Sequence, residues 1–309
     1  MSGQTAVNGD MEHHMLAQAA GKIKAINSAL ARPFIKAINS ALARPFVATA
    51  EKLRLQGKDA SPAGSAARFV AEFTGSRRDI IRAQRLRYRI FSEEYGASLR
   101  APFGLDRDRF DKHCLHLVVR DTHSGELVGY TRVLTAEAAA RAGSYYSAGE
   151  FDLAMLARLS GRVAEIGRTC IHPEHRSGAV IGVLWSRLAR FMVEDRIDHL
   201  IGCASVALGE GYDVGAIVGR IRERHLSAPM LRVAPRLPLQ QLSVSEGGSE
   251  RIPALLKAYL RMGARVCGEP CWDPEFNCID FFILLSLDDL PARYVQHFLQ
   301  PAPASLLVV

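Results

Sequence analysis

EIGRTCIHPEHRSGAVIGVLWSRLARF, residues 165–191, carries the pattern that decides the fold of this chain. Its opening continues a run that reads as a strand over residues 162–170. The strand ends in the polar turn HPEHRSG. The apolar period then changes: Leu184, Leu188, Phe191 and Met192 share one face of a helix expected over 181–195. A strand that feeds through a polar turn straight into a helix leaves the first helical N–H groups, and the positive end of the helix dipole, at the turn, where an anion can sit.

Toward the N-terminus, residues 79–95 have a helical period. Residues 115–120 and 127–134 read as strands joined by a turn, and Ser124-Gly125 between them signals a hairpin. Toward the C-terminus, 200–207 is a buried strand, 208–250 is irregular and rich in Pro, Gly and Ser, 253–262 is a helix and 281–287 a strand. Strands alternating with helices, together with a hairpin, predict an α/β (α+β) domain on a mixed sheet that starts near Arg68. Residues 57–67, GKDASPAGSAA, form a linker. Residues 1–20 are expected to be disordered, and IKAINSALARPF then occurs twice, at 23–34 and 35–46. Ile23, Ile26, Leu30 and Phe34 make an amphipathic stripe, which Pro33 and Pro45 end or kink. The repeat is either a basic interfacial helix for anionic lipid, a helix packed on the main domain, or a duplication of no consequence. The expected division is 1–67 as tail, repeat and linker, and 68–309 as the functional domain.

The 309 residues are 48% hydrophobic and 23% charged, a globular composition that excludes disorder of the whole chain. The net charge of +7 favours anionic partners. Residues 1–80 hold eleven Lys/Arg against six Asp/Glu, a net of +5. No zinc-finger or RNA-binding motif accompanies that charge, so nucleic acid is not an expected partner. The six cysteines, at 114, 170, 203, 267, 271 and 278, form no C-x-x-C pair and read as reduced, mostly buried thiols. No apolar run reaches the ~20 residues of a membrane span, and the polar, acidic start is unlike a secretion signal. A cytoplasmic protein is expected, with peripheral contact to the inner membrane through the repeat.

The stretch 165–191 resembles the cofactor-binding segment of the GCN5-related N-acyltransferases. In that superfamily a strand splays from its neighbour and a loop at a helix N-terminus holds pyrophosphate or phosphopantetheine. The resemblance implies a mostly antiparallel mixed sheet with a splayed strand pair and helices on both faces. It gives Cys170, Ile171, His172, Arg176 and Gly178 to phosphopantetheine. Arg176 is followed by Gly178 and Gly182, not by glycines at the superfamily's usual offsets, which tells against ordinary coenzyme A use. KAYLRMGA, 257–264, is similar to the family's Y-x-x-x-G pattern, in which Tyr259 matches a general acid for the thiolate. A plain amphipathic tyrosine at a helix end is the alternative. RLRYRIF at 85–91, DRDRFD at 106–111, Arg132, Glu165 and Arg168 follow in the order of the acyl-homoserine lactone synthases. That match implies site roles for Arg87, Phe91, Asp108, Asp111, Arg132, Glu165 and Arg168. SAGEFDL at 147–153 and GEPCWDPEFNCID at 268–280 extend the likeness to the bacterial ornithine N-acyltransferases of ornithine-lipid synthesis, over residues 80–290.

The resemblance thus implies an enzyme that moves a (3-hydroxy)acyl chain from the phosphopantetheine of acyl carrier protein, or from acyl-CoA, to the α-amino group of ornithine, giving lyso-ornithine lipid. No permanently bound cofactor is implied. An acyl-homoserine lactone synthase and a non-catalytic lipid-binding module on the same fold are the alternatives. The amine must lose a proton to attack a thioester. Glu165 is the candidate base, directly or through a water. Its alternative is a salt bridge to Arg168, although strand alternation puts 165 and 168 on opposite faces unless a bulge intervenes. Backbone N–H groups near 170–172 are candidates to polarise the thioester. Asp108 and Asp111 either bind the two ammonium groups of ornithine, orient Arg87, or are solvated loop charges. Arg176, Arg187 and Arg190 form either a patch for the acidic carrier or the wet face of a helix. Ser205 either belongs to the core or lines the substrate site. His172 and His175, with no third ligand expected nearby, read as loop residues, and no metal is assigned.

Overall fold

The computed structural model describes residues 67–99, 101–176, 178–208, 211–239, 250–292 and 294. The tandem repeat, and the tail and linker up to residue 66, lie outside the described residues. β1 (Phe69–Thr74) precedes helix α1 (Arg77–Tyr95), which Ser76 caps through Asp79 N and which ends at Gly96 in the left-handed region. The hairpin β2 (Leu115–Asp121) and β3 (Leu127–Thr135) follows, then a short helix α2 (Ala136–Ala142) and β4 (Phe151–Asp152). The deciding stretch forms β5 (Val163–Ile171) and helix α3 (Ala179–Glu194). Next come β6 (His199–Ala207), α4 (Val214–Arg224), β7 (Ala234–Pro235) and α5 (Ala254–Arg261). The described elements close with β8 (Arg265–Val266), β9 (Cys271–Asp273) and β10 (Cys278–Ser286).

The main sheet runs β1-β2-β3-β5-β6-β10-β8, with β9 also on β10, and β4 pairs with β7 apart from it. Every pairing in the main sheet is antiparallel except β5 with β6. Alternation along β2 explains the layers. Leu117 and Val119 face a core shared with Leu184, Leu188 and Met192 of α3, whereas Val118 faces Ala83, Leu86 and Ile90 of α1. Helices therefore cover both faces, and each fully buried Leu of α3 contributes about 1.5–3 kcal/mol.

The parallel pair is brief. Only Val163, Ala164 and Glu165 of β5 pair with His199, Leu200 and Ile201 of β6. Beyond them β5 stays on β3 as far as Ile171 and β6 stays on β10 as far as Ala207, so the two strands part. Gly202 sits just past the last pair, and a Cβ there would run into the Ile166 carbonyl. Gly202→Ala should therefore cost about 1–3 kcal/mol by overpacking. Urea denaturation checks this, and a loss below ~0.5 kcal/mol would show that the parting does not depend on the missing side chain.

One expectation is corrected. The stretch 208–250 is not wholly irregular, because α4 lies within it, capped by Asp213 onto Ala216 N. Val214, Ile217, Val218 and Ile221 give it an apolar face, although its surroundings look like loop. β10 also begins three residues earlier than the sequence suggests, because Cys278 already pairs with Ala207.

Candidate active site

Three arginines from three elements meet three aspartates from one loop. Arg87 of α1 donates from Nε to Asp106 Oδ2 (2.8 Å) and from Nη1 to Asp111 Oδ1 (2.9 Å). Arg132 of β3 grips both oxygens of Asp108 (2.7 Å each) and also donates to Asp111 Oδ1 (2.8 Å). Arg168 of β5 donates to Asp106 (3.1 Å) and Asp108 (3.4 Å). Arg87 is 0% exposed and Arg132 3%. Against the cost of burial, the guanidinium groups hold Asp108 and Asp111 below the ordinary carboxylate range. Of the roles open for Asp108 and Asp111, the geometry is that of holding arginines: their oxygens are turned to Arg87, Arg132 and Arg168. Asp106 completes the set and was not among the candidates from the sequence.

Arg168 sits on a bulge. Arg132 pairs with Gly167 and Tyr130 with Cys170, so Thr131 faces both Arg168 and Thr169, and Arg168 takes φ 55°. The bulge undoes simple alternation. Glu165 and Arg168 both reach Tyr146, the first through its backbone and the second across its ring at 4.8 Å. They form no salt bridge with each other. Glu165 accepts from Tyr146 N (2.6 Å) and Ser147 N (2.8 Å) and is 3% exposed. Burial raises its pKa although both N–H groups favour the anion. Its geometry is that of a clamp on the turn Tyr146–Gly149, not of a base open to substrate.

The parting of β5 and β6 opens a groove of about 300 Å³ lined by Cys170, Ile171, Arg176, Gly178, Ser205 and Ala207. Gly178, which lines the groove, caps α3 without a side-chain bond, so no side chain caps the first N–H groups of that helix at the groove's edge. The His172 N–H is taken by Val128 O (2.8 Å). By alternation, the Ile171 N–H points away from β3, toward the opened edge. Arg176 donates to Ile171 O (3.2 Å) from the same side. His172 lies instead in a neighbouring hollow with Arg82, Arg85 and Arg89, and Arg85 and Arg89 are exposed. Arg187 is turned elsewhere, paired with Glu194 (3.1 Å) and lying over Phe73. Glu174 supplies a third donor within 4.8 Å of His172 and His175, contrary to the expectation of none. His172 Nδ1 there accepts from Glu174 N (3.3 Å) as a cap.

Phe91, Thr169, Ser205 and Leu255 line both the groove and a smaller inner cavity of about 70 Å³. The cavity is walled by Glu150, Arg168, Cys203, Tyr259, Asp273 and Asp280. The Ser205 hydroxyl donates to Asp280 Oδ1 (2.6 Å). Burial, with Asp273 adding to it, raises the Asp280 pKa to about 6 in spite of that bond. Burial raises Glu150 well above the carboxylate range, with Asp280 the next cause. Tyr259, also buried, is pushed up to about 12 and stays a phenol at neutral pH. Arg168 and Tyr146 border both this cavity and an outer hollow of about 220 Å³. Glu150, Asp273 and Asp280 were missed as site residues, yet all three lie inside stretches quoted for the resemblance, 147–153 and 268–280.

The family described as Acetyltransferase (GNAT) domain matches residues 86–186. The chain is 32% identical to the L-ornithine N(alpha)-acyltransferase of Brucella abortus (strain 2308), over 78% of this chain and 92% of that protein. It is 32% identical to the protein of the same name from Rhodobacter capsulatus, over 71% of this chain and 90% of the relative. A solved CoA-dependent acyl-homoserine lactone synthase, BjaI, with SAM and isopentyl-CoA, superposes with TM-score 0.48 at 16% identity, covering 77% of this chain and 92% of the other.

Proposed function

The chain belongs to the L-ornithine N(alpha)-acyltransferase family, and from that premise we propose how its residues acylate ornithine. It moves an acyl group from a thioester to the α-amino group of L-ornithine. The relatives that cover most of its length are named for that acylation, which puts the lactone-synthase and binding-only alternatives second. The observation that carries the reading is the parting of β5 from β6 beyond Glu165 and Ile201, which joins a groove for a thioester arm to an acidic cavity for an amine.

The donor arm lies in the groove, its phosphate end toward the open N-terminus of α3 and Arg176. Ornithine comes past Arg168 and Tyr146, with its carboxylate toward Arg168 and its α-amine beside Ser205 and Asp280. The α-ammonium gives a proton to Asp280, whose pKa near 6 suits a base at neutral pH. Nitrogen attacks the carbonyl carbon, and the oxygen takes a hydrogen bond from Ile171 N–H. The C–S bond breaks, and the second proton of the attacking nitrogen passes to the departing sulfur, which leaves as the thiol. Tyr259 donates a hydrogen bond to the departing sulfur. Full transfer of its proton, from a phenol near 12 to a thiolate whose acid is near 8.5, would run uphill by on the order of 5 kcal/mol. Glu165 acts as a positioning residue through the turn it clamps.

The donor is the acyl-phosphopantetheine of acyl carrier protein, and the chain carried is a 3-hydroxyacyl group, so that the product is lyso-ornithine lipid. The exposed Arg85 and Arg89, beside His172 and near the groove's mouth, support an acidic protein donor. Residues 68–309 carry this chemistry. No described helix is long and apolar enough to cross a membrane, and the basic repeat at 23–46 brings the protein to an anionic inner-membrane surface. The test incubates purified protein with L-ornithine and either acyl carrier protein thioester or acyl-CoA, and reads N-acyl-ornithine by mass spectrometry. Product from the carrier thioester is expected, weakening as salt rises. No product from either donor would sink the reading, and product from acyl-CoA alone would replace the donor.

A further inference from the structure

We infer that the deep end of the inner cavity is a receptor for the second, side-chain ammonium group of a diamino-acid substrate, with Glu150 as its anchor. The inference rests on the ornithine reading above and adds to it the residue that distinguishes ornithine from a neutral amino acid.

Glu150 is fixed before its side chain is considered. The turn Tyr146–Gly149 leading to it is clamped by Glu165. Its own N–H donates to Ser147 O (3.0 Å), and its carbonyl accepts from Arg236 N (2.7 Å). Phe151 next to it is 0% exposed and pairs with Pro235. The carboxylate is thereby held against the cavity wall beside Cys203 and Asp280. Its Oε2 is sealed from solvent and accepts no hydrogen bond. A buried acceptor left unsatisfied costs about 1–3 kcal/mol, and more when charged. The side chain lines the inner cavity, so a turn of the carboxylate would bring this oxygen to a donor bound there.

The charge of the cavity names that donor. Glu150, Asp273 and Asp280 face it with Arg168 as the one guanidinium among the described lining residues, and Arg168 is already engaged by Asp106 and Asp108. Burial alone keeps the Glu150 carboxyl protonated, and a cation placed beside it is what would favour its carboxylate. A metal ion is the poorer candidate. Asp273, Cys278 and Asp280 do offer ligand atoms within 4.8 Å of one another. The Cys278 thiol, however, donates to Asp280 Oδ2 (3.5 Å), and burial drives its pKa far up, so it remains a thiol and not the thiolate a metal requires. An ammonium group brings its own donors and needs only acceptors. Along β6, Ser205 touches both the groove and Asp280, whereas Cys203 lines only the inner cavity, on the Glu150 side. An amino acid with its reacting amine at Ser205 and Asp280 thus directs its side chain toward Glu150.

L-norvaline has the carbon chain, α-amine and carboxylate of ornithine but no second amine. The experiment measures kcat/KM for ornithine and for norvaline in wild type and in Glu150→Gln. The ratio of the two should fall by about 10- to 100-fold in the variant, the scale of one charged hydrogen bond, mainly through KM for ornithine. An unchanged ratio, whatever the absolute loss, would overturn the assignment. Glu150→Asp, which draws the anchor back by one methylene, should shift preference from ornithine toward lysine. Should neither variant fold, the unmodified protein still decides: millimolar ornithine should raise its melting temperature and equal norvaline should not, and equal shifts would overturn the proposal. An enzyme that acylates ornithine but shows an unchanged ratio sinks only the role of Glu150. Failure to acylate ornithine at all sinks the reading beneath it.

Discussion

Asp280→Asn will transfer acyl groups about 10²–10⁴ times more slowly than the parent and will nonetheless be harder to unfold at neutral pH. Both effects come from burying one carboxylate. Asp280 is 3% exposed on β10, and burial raises its pKa to about 6 from the ordinary value near 3.9. Between those two values the folded state binds more protons than the unfolded state, so stability falls as pH rises through the window. Above pH 6 the ionised side chain costs the fold on the order of 3 kcal/mol. Asparagine removes the charge and can still accept from Ser205. A gain of about 2 kcal/mol at pH 7.5 would raise the melting temperature by about 4–8 °C. Below about pH 4 the gain should vanish, because Asp280 is then neutral in both states. In the parent, kcat/KM should rise with pH through a limb near 6, and the variant should lack that limb. Thermal melts at pH 4 and 7.5, beside a pH–rate profile, check all of this. A variant that is less stable at pH 7.5 and keeps its limb would show that Asp280 is an ordinary structural group. A destabilising residue at the point of reaction is the usual sign of function set against stability.

What could be seen in the sequence follows the range over which each feature is determined. The strand, turn and helix at 165–191 were legible because period and punctuation change within a few residues of each other, and β5 and α3 lie where those changes put them. The hairpin of β2 and β3 was legible for the same reason. Helix α4 was not, although Asp213 followed by Val214, Ile217, Val218 and Ile221 is a cap with an apolar face; the Pro, Gly and Ser around it diluted the signal. The site was harder still. Glu165 stood out by its motif, but the backbone donors that hold its carboxylate come from the turn at 146–149, which no pattern near residue 165 announces. Glu150 and Asp280 are 130 positions apart, and no local pattern says that they share a wall. Their partnership depends on β4 joining β7 and on β10 joining β6. Arg87, Arg132 and Arg168 were selected from the sequence, whereas their mutual dependence through Asp106, Asp108 and Asp111 is a property of closure.

That dependence sets the largest stability effect expected of any single substitution here. Arg87→Ala should cost about 3–5 kcal/mol, as breaking a buried pair from one side does. Arg87 is 0% exposed and serves two carboxylates, and its guanidinium lies 5.4 Å from the centre of the Tyr130 ring. With it in place the six-residue set is neutral, three charges against three. Without it the set is left with one uncompensated negative charge in the interior. Asp106 keeps Arg168 and Asp111 keeps Arg132, so neither is orphaned, and the cost falls on the imbalance and the lost packing together. Adding Asp106→Asn restores neutrality and should return about 1–2 kcal/mol, a coupling that a double-mutant cycle reads directly. Arg222→Ala is the control. It breaks a 2.6 Å pair with Glu269, shorter than either contact of Arg87, but its side chain is 51% exposed and the pair should contribute no more than ~1 kcal/mol. If urea denaturation ranks these two substitutions equal, burial is not what gives the arginine network its weight. If Arg87→Ala alone is severe and the double variant recovers, the network holds Arg168 and the bulged strand behind it, and so the wall between the inner cavity and the outer hollow through which the amine comes.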